Sequence, residues 1–158
     1  MTDIKPEHIA PCGLYCGVCL FHYATQANDL AFLERFSKIL ARQLPAIAAL
    51  PPEELLCDGC LSARRFPYCR ECSIRDCTQL KGLEGCHECG DFPCALTDEF
   101  PIAVGRKVML RAVPYRRAHG TEQWVVAEEK RYRCPVCGHR LARGARQCER
   151  CQSPVDVD

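Results

Sequence analysis

The cysteines are the residues of this sequence that could do chemistry. Fifteen occur among 158 residues, far above ordinary usage. Two cysteines three positions apart can turn both sulfurs toward one metal ion, so metal sites reuse this spacing. The sequence contains six such pairs: Cys16/Cys19, Cys57/Cys60, Cys69/Cys72, Cys86/Cys89, Cys134/Cys137 and Cys148/Cys151.

Disulfides would be the alternative use of these cysteines in an exported chain. The opening MTDIKPEH lacks the basic and then apolar pattern of a signal peptide. No apolar run is close to the length of a membrane span, which is about 18 residues. We therefore expect a cytoplasmic protein that uses its cysteines to bind metal and has no membrane partner.

The strongest motif is CPVCGHRLARGARQCERC, which spaces four cysteines as C-x2-C-x10-C-x2-C. Four soft thiolates in two pairs are the ligand set of a closed tetrahedral zinc site. Gly138 follows the first pair, where the lack of a Cβ eases the turn. Gln152 holds the same place after the second pair, at a small cost in strain. The motif predicts a zinc ribbon over residues 134–158, with the ligands Cys134, Cys137, Cys148 and Cys151.

Eight further cysteines lie in residues 57–94, enough for two four-thiolate sites. A sequential arrangement and an interleaved, cross-braced arrangement fit the spacing equally well. We expect no regular amphipathic element in this segment, so bound metal must supply its folding free energy. The sequential arrangement gives Cys57, Cys60, Cys69 and Cys72 to one ion, and Cys77, Cys86, Cys89 and Cys94 to another.

The triplet Cys12, Cys16 and Cys19 has the C-x3-C-x2-C spacing by which radical enzymes hold a four-iron cluster. Those enzymes need most of a β/α barrel, on the order of 200 residues or more, and this chain is too short for one. Two interpretations remain open. The triplet binds zinc with a fourth ligand, for which His22 and His87 are candidates, or it holds a small non-catalytic iron–sulfur cluster.

The predicted elements that position these cysteines are few. Residues 28–42 read as an amphipathic helix capped by Asn28 or Asp29, and residues 1–27 as a loop region. A short helix is predicted from Pro93 through Phe100. Residues 101–120 show no clear period and are interrupted by Pro114. Thr121 is the predicted cap of a helix over 121–132.

The predicted fold class is a small, irregular, metal-stabilised α+β protein with a zinc-finger-like N-terminal domain. The domains are expected at 1–100 for the cysteine-rich metal-binding part, 101–133 for a linker with its helix near 121–132, and 134–158 for the ribbon. Catalysis lacks a visible centre, because the sequence has no phosphate-binding glycine loop, no H-E-x-x-H motif and no zinc-deaminase pattern.

A basic stretch adjoins the ribbon and could contact phosphates. Tyr132 within it offers a surface for base stacking. A solvated basic face accounts for the cluster more simply, and residues 1–94 are acidic. Nucleic-acid binding is therefore expected to be weak, and a protein is the expected partner. The basic residues of 130–150 are Lys130, Arg131, Arg133, Arg140, Arg143, Arg146 and Arg150.

Three stretches, CGLYCGVC, CDGCLSARRFPYCRECSIRDC and KGLEGCHECGDFPC, resemble a widespread family of small prokaryotic cysteine-rich proteins, a domain of unknown function with a presumed metal-binding role. The eleven cysteines from Cys12 to Cys94 match its pattern, as do Ile74, Arg75, Lys81, Gly82 and Pro93. Many members likewise append a tryptophan-bearing helix and a zinc ribbon. The resemblance implies no activity, and neither His22 nor His87 belongs to the pattern.

The sequence therefore predicts a non-enzymatic protein with three to four zinc ions that serves as a protein-interaction module. One alternative is an iron–sulfur redox or sensing protein, with the cluster in the N-terminal domain. The other is nucleic-acid binding through the basic ribbon.

Overall fold

The computed structural model describes residues 3–158, and helices dominate it. Short 3₁₀ turns connect the helices, notably at Cys16–Val18 and Cys86–Glu88. The α-helices are α1 (Leu20–Gln26), α2 (Leu30–Leu40), α3 (Pro67–Arg70), α4 (Ser73–Leu80), α5 (Ala95–Asp98) and α6 (Ala103–Arg131).

The strand component of the predicted α+β fold is not present in residues 3–158. Here β-structure is limited to isolated antiparallel bridges, Ile9 with Tyr15, Arg133 with Arg140, and Gln147 with Pro154. The reason is local. Tight turns that carry cysteine pairs close their backbone hydrogen bonds over a few residues, for example from Cys134 N–H to the His139 carbonyl at 2.8 Å. Too little chain is left between the turns to extend a ladder.

The predicted helix over 28–42 is confirmed as α2. Asp29 caps it, because its carboxylate accepts a hydrogen bond from the Phe32 N–H at 2.9 Å. The prediction of a loop over 1–27 is wrong for α1, whose seven residues are too few to show a clear period. Thr25 of α1 accepts a hydrogen bond from the Cys57 N–H at 2.8 Å, so α1 positions the chain just before the Cys57/Cys60 pair.

The prediction that residues 57–94 contain no regular amphipathic element is also wrong. Helix α4 spans eight residues and buries Ile74, Arg75 and Thr78, which share one helical face. Two of these three residues are polar, so the buried face does not appear as an apolar pattern in the sequence.

Helix α6 runs through Pro114, where the sequence predicts an interruption. Pro114 is exposed, so the Leu110 carbonyl that loses its helical partner lies on the solvent side of the helix. On the opposite face, buried residues recur at positions i, i+1, i+4 and i+5, which is the pattern of a helix packed on a core. Its buried residues are Val108, Met109, Ala112 and Val113.

Both cysteine-rich parts of the chain pack against α6. Met109 and Val113 share a buried cluster with Cys12 and Cys60, whereas Trp124 shares another with Cys134 and Cys148. The segment 101–133, which the sequence assigns to a linker, thus forms much of the interior between the two sets of cysteines.

A buried ion network ties α6 to the end of the chain. The Arg111 guanidinium contacts the Glu128 carboxylate at 2.5 Å and the Asp158 carboxylate at 3.1 Å, and each of these acidic side chains is only 1% exposed. Tyr132 donates to Asp158 at 2.5 Å. One arginine therefore compensates two buried carboxylates.

Gly120 bends α6 and supports a first prediction. Its φ of 82° and ψ of 169° lie in a region that is essentially restricted to glycine. A Cβ at this position would meet no atom within 4 Å, so Gly120→Ala tests backbone strain alone. We expect the substitution to lower the free energy of unfolding by about 1–3 kcal/mol, measured by chemical denaturation.

Gly90→Ala is the matched control for Gly120→Ala. A Cβ there also meets nothing within 4 Å, and the φ of Gly90 is outside the left-handed region. Equal losses of stability in the two variants would contradict the strain argument.

Candidate metal centres

The ribbon cysteines form the most compact cluster of possible ligands. The sulfurs of Cys134, Cys137, Cys148 and Cys151 all lie within 4.8 Å of one another. The Sγ–Sγ distances are 3.6 Å both for Cys134 with Cys151 and for Cys137 with Cys148. A tetrahedral ion with metal–sulfur bonds of about 2.3 Å would hold its sulfurs about 3.8 Å apart. The four residues that the spacing predicts are thus arranged to hold one metal ion.

The two turns of the ribbon have the same backbone geometry. The N–H of Gly138 donates to the Cys134 carbonyl, and the N–H of Gln152 donates to the Cys148 carbonyl, both at 2.9 Å. The φ angles of Gly138 and Gln152 are 69° and 60°. This left-handed conformation costs a residue with a Cβ about 1–2 kcal/mol, so the strain expected at Gln152 is present.

The ribbon thiols differ in their affinity for protons. Hydrogen bonds from the side chain and backbone of Ser153 lower the pKa of Cys151 to about 6. The backbone hydrogen bond from His139 acts in the same direction on Cys137, but desolvation and the neighbouring thiols outweigh it and raise the pKa of Cys137 to about 12. A thiolate at Cys151 can capture a metal ion near neutral pH, and binding then displaces the Cys137 proton, so affinity falls as pH falls.

Seven N-terminal cysteines line one partly enclosed cavity of about 190 Å³. The remaining wall is mostly apolar and comes from α1, α2 and the start of α6. The structure therefore gathers the predicted triplet and two of the predicted pairs around a single space. The seven cysteines are Cys12, Cys16, Cys19, Cys57, Cys60, Cys69 and Cys72.

Burial makes these thiols difficult to ionise on their own. Burial raises the pKa of Cys12, Cys16 and Cys69, and neighbouring thiols add to the effect. Backbone N–H groups of Leu14 and Cys60 oppose it by donating to the sulfurs of Cys12 and Cys16, respectively. Because desolvation dominates, thiolates in this cavity need a cation to neutralise them.

The four other N-terminal cysteines lie outside this cavity. Burial, together with the smaller effects of the nearby thiols of Cys94, Cys89 and Cys77, raises the pKa of Cys86 to about 11, so these four residues are neighbours. Arg117 of α6 fixes the turn between Cys86 and Cys89, since its guanidinium donates to the His87 carbonyl at 2.8 Å and the Cys89 carbonyl at 2.7 Å.

The two histidines proposed as fourth ligands occupy different places. His22 lines the cavity, and its Nδ1 lies 3.3 Å from the Cys57 carbonyl oxygen. His87 belongs instead to a group with Glu84 and Glu88, which is the second group within residues 3–158 whose possible ligand atoms all lie within 4.8 Å of one another. His22 is therefore beside the triplet and His87 is not.

Two arginines, Arg143 in the cavity wall and Arg75 beside the cavity residue Cys69, have contacts that the sequence did not assign. Arg75 is buried and donates to the Cys69 carbonyl at 2.6 Å and to the Arg70 carbonyl at 2.8 Å. Its place in the motif C-x-x-C-x-I-R-x-C was the available signal. Arg143 lines the cavity and donates to the Tyr15 carbonyl at 2.8 Å. Burial opposes its charge, but Cys19, Tyr132 and Cys16 outweigh burial and raise its pKa.

Fold and sites together define a small helical protein built around cysteine clusters that could bind metal. The chain belongs to the family described as "Protein of unknown function (DUF3795)", whose model matches residues 8–99. The resemblance inferred from Cys12 through Cys94 is thereby confirmed. No curated protein and no solved structure matches the chain. None of the helices in residues 3–158 is long and apolar enough to cross a membrane.

Proposed function

We propose that this protein is a non-enzymatic zinc protein that presents a rigid surface to a protein partner. The observation that carries the proposal is the arrangement of the four ribbon sulfurs at distances that suit tetrahedral zinc. A closed site with four thiolates leaves no coordination position for substrate, so its role is structural. In this proposal residues 134–158 form a zinc ribbon that packs on α6.

A groove beside the ribbon supports the choice of a protein partner. It has a volume of about 1080 Å³ and is lined by α6 and both ends of the ribbon. Val126 lines the groove and is 54% exposed. Val136, which follows the groove residue Pro135 in the sequence, is 69% exposed. Lys130 and Arg133 also line the groove. Apolar side chains beside basic ones suit a protein segment that carries both apolar and acidic residues.

The ribbon zinc is tested by one substitution. Cys148→Ser is expected to lower the zinc content by about one ion per chain, because three thiolates no longer close the tetrahedron. Native mass spectrometry of the full-length protein measures this. Arg150→Ala is the matched control, since Arg150 is exposed and lies between Cys148 and Cys151. Full zinc retention in Cys148→Ser would contradict the proposal.

The three to four zinc ions predicted from the sequence would require the eleven cysteines of 12–94 to form closed zinc sites as well. Seven of these cysteines surround the cavity. Their sulfurs are farther apart than the sulfurs of the ribbon cysteines, and this spacing favours an occupant other than a single zinc ion.

Nucleic-acid binding is the weaker candidate function. Tyr132 is 2% exposed, so the prediction that its ring offers a surface for base stacking is wrong. The Arg140 guanidinium lies 3.6 Å from the centre of the Tyr23 ring, and Arg146 pairs with Asp156. With Arg143 directed to the cavity, fewer charges of the 130–150 cluster remain for phosphates.

We therefore expect at most weak, sequence-independent binding of short single- and double-stranded oligonucleotides, with an affinity that falls steeply with salt. Fluorescence anisotropy at two salt concentrations measures it. Tight binding that survives physiological salt and discriminates among sequences would promote nucleic acid over a protein partner.

A further inference from the structure

The seven-cysteine cavity differs from a zinc site in its spacing. A single zinc ion would draw four sulfurs to about 3.8 Å from one another, as the ribbon sulfurs are. In the part of the chain that the structure describes, the cavity cysteines form no group of three with all sulfurs within 4.8 Å. They stand instead around a space of about 190 Å³.

Water does not suit this space. A buried water needs about two to four polar partners, and the walls between the cysteines are largely apolar, with Phe21, Phe36 and Phe66 among them. A polynuclear cluster suits it better. In a [4Fe–4S] cluster the thiolates bind four separate irons with sulfide between them, so the cysteines lie farther apart and the cluster itself fills the centre.

The charges at the cavity suit an anionic cluster. The Arg143 side chain reaches it from the ribbon, and within residues 3–158 its buried Nε has no hydrogen-bond partner. Arg75 of α4 donates to the carbonyl of the cavity residue Cys69 at 2.6 Å, which places a second positive charge close to the cavity wall. Four thiolates outweigh the positive charge of the iron–sulfide core, and hydrogen bonds to the sulfurs stabilise such clusters.

We propose that this cavity binds an iron–sulfur cluster of the [4Fe–4S] type through four of its seven cysteines, with Arg143 as a positioning residue that balances the charge of the cluster. The site is separate from the ribbon, and the proposal does not depend on zinc there. The ligands come from both walls, the triplet Cys12, Cys16 and Cys19 and the pairs Cys57/Cys60 and Cys69/Cys72.

The test is anaerobic purification of the full chain, followed by reconstitution with iron and sulfide under reducing conditions. We expect about four iron atoms and about four acid-labile sulfides per cluster, a broad absorption band in the visible range, and an electron paramagnetic resonance signal after reduction with dithionite. A chain that retains only zinc, without iron or sulfide after reconstitution, would overturn the proposal.

Single substitutions separate the two metal sites. Cys16→Ala and Cys57→Ala, one from each wall, are expected to lose most of the iron and keep the ribbon zinc. Cys134→Ala should lose the ribbon zinc and keep the iron. Because the ligands are proposed to come from both walls, a variant in which Cys12, Cys16 and Cys19 are all replaced by alanine and that keeps the full iron content would show that the proposal is wrong. Should these variants fail to fold, the iron, sulfide and spectra of the unsubstituted protein still decide.

The role of Arg143 is tested separately, by the reduction potential of the cluster. A positive charge next to a cluster favours the reduced, more negative state, so Arg143→Met is expected to lower the reduction potential. Arg140→Met is the matched control, because that arginine lies in the same loop but over the Tyr23 ring. An unchanged potential in Arg143→Met would overturn the role given to Arg143.

Discussion

Removing the metal from the reduced protein is expected to unfold residues 57–94. The helices in this segment have at most eight residues, whereas isolated helices shorter than about 12–15 residues are marginal in water. Cys57, Cys60 and Cys86 are themselves buried core residues. Without metal the segments that carry these cysteines are no longer joined by metal–thiolate bonds. Metal binding and folding form one equilibrium in such domains, so loss of the metal should unfold the segment.

The expected measurement is a loss of helical circular dichroism together with collapse of the proton NMR dispersion of the 57–94 amides after chelation. Helix α2 should persist partly, since it has eleven residues and its own cap. Reductant without chelator is the control, and it should leave the spectra unchanged. Dispersed 57–94 amide signals in metal-free, reduced protein would contradict the prediction.

Arg111→Ala is expected to lower the free energy of unfolding by about 3–5 kcal/mol, the usual cost when one partner of a buried ion pair is removed. The cost arises because the Glu128 and Asp158 carboxylates, each 1% exposed, lose their cation. Denaturant unfolding of the metal-bound protein measures the change. Adding Glu128→Gln should recover part of the loss, since it removes one of the stranded charges.

Lys38→Ala is the control for this prediction. Lys38 pairs with Glu34 at 2.8 Å on the exposed surface of α2, and such solvent-exposed pairs contribute little to stability. A loss for Arg111→Ala no larger than the loss for Lys38→Ala would show that the buried network contributes little.

The clustering of Cys134, Cys137, Cys148 and Cys151 could be predicted from the sequence because its geometry is local. Two cysteines three positions apart, followed by a residue with positive φ, determine each turn, and only ten residues lie between Cys137 and Cys148. Helix α2 was predictable for the same reason, since its cap and its apolar period lie within one segment.

The cavity could not be predicted, because packing between distant segments creates it. Arg143 and Tyr15 are 128 positions apart, and no pattern in the sequence distinguishes Arg143 from the arginines beside it. Helices α4 and α6 were missed in part because buried charged residues, Arg75 and Arg116, interrupt their apolar faces. The hydropathy pattern fails where a charge is buried against a carbonyl or an aromatic ring.

The position of Arg143 has a consequence for how the two metal centres respond to each other. Arg143 lies in the loop between the two cysteine pairs of the ribbon, so the folding of the ribbon sets the place from which its guanidinium enters the cavity. If both proposed centres bind their metals, we expect occupancy of one to change the affinity of the other, and thermodynamic reciprocity requires the factor to be the same in both directions. Under the two proposals, a chain that loses its ribbon metal would still bind its cavity cluster but release it more readily, so Cys134→Ala would keep its iron on purification and lose it faster to a chelator.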